Sequence, residues 1–225
     1  MLSQAIGNLL PIAVAVALSP IPIIAIIVML GTKDARRNGP AFAAGWVLGL
    51  SAVSLIVLFV LGGASTPDSA ASTTVNWGQV GLGLLFFGMA RRQWAKRPAK
   101  GEAAEMPAWL ETVDHIGPGK AFSLGIALSA VNPKNLALTA AAAASIAQVG
   151  LSDQQELVAV AVFVVIGSLT VAGPVLFTLL APQKSVKPLA VMQEFMAHNS
   201  AVIMMVILVL IGAKMLGSGL GGAFA

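Results

Sequence analysis

The chain has no cysteine among its 225 residues, so it can form no disulfide and offers no thiol, which excludes a membrane thiol-disulfide relay. Histidine is almost as scarce, with two. His115 sits in a charged loop with no second His, Cys or carboxylate pair beside it, so neither a metal set nor a cofactor is expected. Charge is the third scarcity: 10% of residues are charged, against roughly 25% in a soluble domain, while 57% are hydrophobic. Mean hydropathy is +0.89. The pI of about 9.8 would suit nucleic acid, but the basic residues are dispersed in short loops between apolar runs and no basic soluble fold is there to use them. The first segment has no charged residue before Lys33, unlike a signal peptide, and its apolar character continues past Ala15-Val16-Ala17 to Leu30. A retained span is the expectation.

What is abundant is long apolar sequence. Charge-free runs cover residues 1–32, 38–67, 69–90, 135–152 and 157–183, each as long as the roughly 18 residues that suggest spanning. Residues 121–148 carry only Lys134, and residues 195–213 carry no charge apart from a protonated His198. These runs predict an all-α integral membrane protein with six transmembrane helices, at about 3–30, 40–62, 77–90, 121–148, 157–180 and 199–217. Three connections hold three, six and two Lys or Arg, and the two between them hold none, so the basic ones are expected in the cytoplasm and both termini outside. Lys214 is the exception to that pattern. Within the basic connection at 93–120, Met106, Trp109, Leu110 and Val113 recur at helical spacing, predicting a short amphipathic helix on the membrane surface.

Two of the six segments are interrupted. Ser19-Pro20-Ile21-Pro22 and Asn132-Pro133-Lys134-Asn135 place prolines mid-span, where a missing N–H and a clash one turn back should break the helix. Backbone freed at membrane depth is tolerated only inside protein or along a wet cavity. A Lys at a helix centre costs roughly 2.5–3.5 kcal/mol, so Lys134 marks a site. It either meets an anionic substrate there, helped by the N-terminal half-charge of the helix after each proline, or pairs with backbone carbonyls or another polar residue for structure alone.

The interruptions recur with an offset of 113, Ala17-Leu18-Ser19-Pro20 lying on Ala130-Val131-Asn132-Pro133. With an offset of 118, Gly49 lies on Gly167 and Val57-Leu58-Phe59 on Val175-Leu176-Phe177, while Gly88 and Gly212 fall near the ends of the third helices. Three spans is an odd number, so the second repeat must be inverted: 1–92, a linker at 93–120, and 121–225. Inverted repeats with matching broken helices are the pattern of secondary transporters with a midplane site. Gly45 and Gly49 have the small-xxx-small spacing of close helix packing, within the chain or across a homodimer, and Gly167 and Gly173 are expected to serve packing and kinking in the fifth segment.

The early Pro-x-Pro, the basic loop ending in Gly39, the Gly45/Gly49 pair and the central Asn-Pro-Lys together resemble the LysE superfamily of bacterial exporters over nearly the whole chain. Leu-Ser-Pro-x-Pro and Asn-Pro-Lys-Asn-Leu are most similar to its actinobacterial GAP branch, the glycopeptidolipid- or sulfolipid-addressing proteins. The resemblance implies export of an envelope glycolipid, its precursor or a small amphipathic anion across the plasma membrane. Ser19, Pro20, Pro22, Asn132, Pro133, Lys134 and Asn135 would be its substrate-binding residues. Amino-acid or metal-cation efflux is the alternative within transport, although no span offers the carboxylates that divalent cations favour. A scaffold for a lipid biosynthesis or export complex, docking through the helix near Trp109, is the alternative outside it. Enzymatic chemistry is not expected, because the spans hold no nucleophile with a His or carboxylate partner.

Overall fold

The computed structural model describes residues 1–62, 77–95, 97, 110, 112–113 and 116–221. Its eight α-helices are α1 (Leu2–Ala17), α2 (Pro20–Leu30), α3 (Ala35–Gly62), α4 (Trp77–Ala95), α5 (Pro118–Ile126), α6 (Pro133–Ala147), α7 (Asp153–Leu180) and α8 (Pro182–Leu220). A π-helical turn, Ala127–Val131, continues α5 toward α6. By length and hydropathy α3, α7 and α8 can each cross a membrane, and α1 with α2, bent by 52° at their junction, makes a fourth candidate. The chain is a multi-pass helical membrane protein. α4 and the α5–α6 pair are not among those candidates; α4 carries Arg91 and Arg92 near its end, and Lys134 lies in the first turn of α6.

Both interruptions are built alike. Ser19 and Asn132 are extended (ψ 109° and 120°), as residues before proline prefer, and each is the N-cap of the next helix, with Pro20 or Pro133 just inside it. Each proline therefore starts a helix where its absent N–H leaves nothing unpaired. Ser152 and Gln155 form a reciprocal capping box that starts α7, and Asp153 and Glu156 in its first turn suit the positive end.

The halves interleave. α1 packs on α7, α3 on α5 and α4 on α8, so each principal contact joins an early helix to a late one. Small residues set these approaches. A Cβ on Gly45 would lie 2.0 Å from the Phe122 carbonyl oxygen, and one on Gly125 would lie 2.2 Å from that of Phe42. A Cβ on Gly49 would meet Ser129, and one on Gly167 would meet Val16. α4 and α8 touch backbone to backbone at Gly83 and Gly212, whereas Gly88 has open space around its Cβ position. The Trp46 indole N–H donates to Gly167 O at 3.3 Å, tying α3 to α7 at a fully buried ring.

Several boundaries differ from those expected. The sixth segment begins at Pro182, not near 199, because Ser185, Leu189 and Met196 line one helical face and are buried against the core despite the charges between them. The second segment starts at Ala35 and takes in Arg36 and Arg37, and the third continues past Arg92 to Ala95. α7 runs without a break through Gly173-Pro174. Of the expected surface helix, Met106 and Trp109 lie outside the described residues, as does His115, while Leu110 and Val113 are buried in the core rather than laid on a membrane surface.

Gly45→Ala is expected to destabilise the fold by about 1–3 kcal/mol, since the new methyl meets backbone that cannot move aside locally. Gly173→Ala, with nothing within 4 Å, should not. Thermal unfolding of both variants in matched detergent checks this; equal midpoints would refute the close approach.

Candidate functional site

α1 stops one residue short of Ser19, and the last four carbonyls of a helix have no partner within it. All four find one here. Val14 O accepts from Leu18 N at 2.9 Å, and Val16 O accepts from Ser19 N at 3.2 Å and from the Ser19 hydroxyl at 2.7 Å. Ala15 O accepts from Lys134 Nζ at 3.1 Å, and Ala17 O accepts from the Thr170 hydroxyl of α7. The end of α1 carries the negative half-charge of its macrodipole, so a cation is the suitable partner there.

Lys134 is 4% exposed. Besides Ala15 O, its ammonium donates to Ser19 Oγ at 2.8 Å. Ser19 Oγ also lies 2.9 Å from Asn135 Oδ1, and its single proton serves either that oxygen or Val16 O. Asn135, fully buried, donates from Nδ2 to Leu128 O at 2.8 Å and so pairs a carbonyl of the π-helical turn. Asn132 Oδ1 accepts from Lys134 N at 3.0 Å, and Asn132 N donates to Ala127 O at 2.9 Å. Ser19, Asn132, Lys134 and Asn135 thus form one hydrogen-bonded knot that stitches both helix breaks together. Pro20 and Pro22 are buried beside it, and Pro133 is exposed.

The geometry refines the two readings of Lys134. Although it sits in the first turn of α6, near a positive helix end, its ammonium reaches across to the negative end of α1. A buried cation held by one carbonyl and one hydroxyl can be moved off them by a stronger acceptor, and an anionic group is such an acceptor. Gly45, Gly49 and Gly167 lie in helix contacts within the chain, and Gly173 lies in open space. Sequence reasoning missed the Ala15 carbonyl, which carries no side-chain signal. Thr170, a hydroxyl residue in an apolar run, carries no motif that would single it out. Two further buried hydroxyls, Thr139 and Ser168, have no hydrogen-bond partner among the described residues, adding polar capacity on α6 and α7.

Ser19→Ala removes an acceptor and leaves the ammonium with the Ala15 carbonyl alone, whereas Lys134→Met removes the charge together with its needs. An under-paired buried charge costs about 3–5 kcal/mol, so Ser19→Ala should destabilise more than Lys134→Met. The double variant should be more stable than the sum of the two losses implies, a coupling that unfolding in detergent can measure. Additive losses would mean that the two side chains do not act as a pair.

A family model described as Sap, sulfolipid-1-addressing protein, matches residues 9–221, and so includes both breaks and every residue of the knot. No curated protein and no solved structure matches the chain. Over nearly its whole length, then, the chain belongs to the sulfolipid-1-addressing protein family, whose name points to transport of a lipid and not to an enzyme.

Proposed function

We propose that the chain exports an anionic envelope glycolipid or its precursor, of the sulfated kind that the family description names, by alternating access between two inverted three-helix repeats. In this reading α1–α2, α3 and α4 form one repeat and α5–α6, α7 and α8 the other, giving six spans in a bacterial plasma membrane with both termini outside. The packing supports it: Gly49 meets Ser129 and Gly167 meets Val16, and these pairs correspond under the two offsets of the repeat, 118 for the glycines and 113 for their partners. The lengths of α3 and α7 agree as well, at 28 residues each.

One observation carries the mechanism. The buried Lys134 ammonium joins the two halves, its donors on the second and its acceptors, Ala15 O and Ser19 Oγ, on the first. Rocking one repeat against the other must break those bonds, and doing so with nothing in their place would leave a buried charge under-paired. A sulfate or phosphate ester arriving between the repeats offers the ammonium a charged acceptor in exchange. Substrate then lowers the cost of opening, which couples movement to cargo. Ser19 and Asn135 would hold the lysine between exchanges.

Mass spectrometry of lipids that co-purify with the wild type and with Lys134→Ala, in matched mild detergent, tests this. An anionic lipid is expected with the wild type and not with the variant, together with loss of export at equal membrane abundance. Lys134→Arg should restore little, because a planar fork does not replace a compact ammonium. Identical lipid profiles with normal flux would overturn the proposal. The orientation has its own test, made simple by the absence of cysteine. A membrane-impermeant maleimide added to intact cells should label Ser3→Cys and not Arg36→Cys; the reverse result would invert the topology.

A further inference from the structure

A second polar site lies away from the knot. A cavity of about 420 Å³ opens where the N-terminal parts of α1 and α4 meet the C-terminal parts of α6 and α8. That is within the roughly 300–1,000 Å³ of small-molecule sites. Its lining includes Gln4, Asn8, Ser145, Gln148, Lys214 and Ser218, and among the described residues no acidic side chain. Asp153 and Glu156, at the start of α7 on this side, are not in the lining. Lys214 donates to the main-chain oxygen of Asn8, which uses one of three N–H donors, and Gln79 of α4 donates to Gln148 at 2.7 Å.

The charge balance is simple. Two helix N-termini and two C-termini converge here, so their half-charges offset in pairs, and among the described residues Lys214 is the one charged side chain of the lining. The other lining groups are amides and hydroxyls, which both donate and accept and so complement hydroxyl groups better than hydrocarbon.

The cavity also shares a seam with the knot. On α6 and its C-cap, Lys134, Leu138, Ala141, Ser145 and Gln148 recur at steps of three and four, and on α1 so do Gln4, Asn8, Ile12 and Ala15. Lys134 bonds to α1 at one end of this antiparallel pair, and the cavity lies at the other. From Asn8 to Ala15 is roughly 10 Å of helix. Ile12, Leu138 and Ala141, all buried, fall between.

We propose that this cavity is a second binding site, for a hydroxyl-rich group that bears negative charge, with Lys214 meeting the charge and the Gln, Asn and Ser side chains meeting the hydroxyls. A polyol or sugar carrying one sulfate or phosphodiester has this chemistry, whether as a lipid head group or as a soluble ester. The assignment stands whether or not Lys134 handles cargo, because it is read by binding and not by export.

The full chain in mild detergent is titrated with glucose 6-sulfate, glucose and sodium sulfate by calorimetry, and the first titration is repeated with phosphatidylglycerol in the micelles. Saturable binding of glucose 6-sulfate is expected, about tenfold or more tighter than glucose or sulfate alone. Lys214→Gln should weaken it by about tenfold or more, while Lys214→Arg should retain most of it. Ser218→Trp, which fills the cavity from one helical turn beyond the lysine, should also weaken it. Lys184→Gln, which removes a charge near the start of α8, should not. Competition by phosphatidylglycerol would assign the site to a lipid head group, and binding unaffected by that lipid would assign it to a soluble ester. No saturable binding by folded wild type, or equal binding by Lys214→Gln and Ser218→Trp, would overturn the proposal.

Discussion

The bond from the Lys134 ammonium to the carbonyl end of α1 is the constraint to which the rest of the site answers. A helix broken at membrane depth exposes carbonyls that lipid cannot satisfy, and a lysine at that depth exposes donors that lipid cannot satisfy either. Each liability is the other's remedy. Ser19 completes the pairing as acceptor, Thr170 covers the neighbouring carbonyl, and Asn135 does the same for the second break. Removing the lysine leaves the Ala15 carbonyl without its donor.

The two breaks share a backbone plan and differ in chemistry. Both use a polar N-cap followed by proline, but after Pro133 come Lys and Asn, whereas after Pro20 come Ile and Pro. One break therefore contributes the donors for both. A symmetric pair would have placed like charges together or left both ends unpaired, so it is the difference between the breaks that lets them pair. The third helices, crossing at Gly83 and Gly212, hold a further backbone contact between the halves.

Much of this was legible in the residues. Proline has no N–H and restricts the residue before it, so Pro20 and Pro133 announced the breaks, and an isolated Lys134 in apolar sequence announced a polar site. Glycine spacing announced close packing on α3. Other features left no such mark. Ala15 acts through its main chain, and alanine gives no sign of it. The start of α8 was hidden because Lys184, Lys187 and Glu194 look like a loop, although Leu189 and Met196 between and beyond them keep helical spacing. The polar cavity draws scattered residues from four helix ends and has no motif to read. Lys214, the one basic residue that broke the charge pattern of the loops, was its only trace.

The interleaving of the halves bears on how the protein is made. The face of α3 that holds Gly45 and Gly49 is completed by α5 and the turn after it, which leave the ribosome about 80 residues later, an interval of about 4–16 s at ordinary synthesis rates. Until then the first half sits in the bilayer with its glycine groove open to lipid chains and the carbonyl end of α1 awaiting a lysine not yet synthesised. Assembly of this chain is thus a late event, and the nascent first half is a transient client for the insertion machinery that must hold it until its complement arrives.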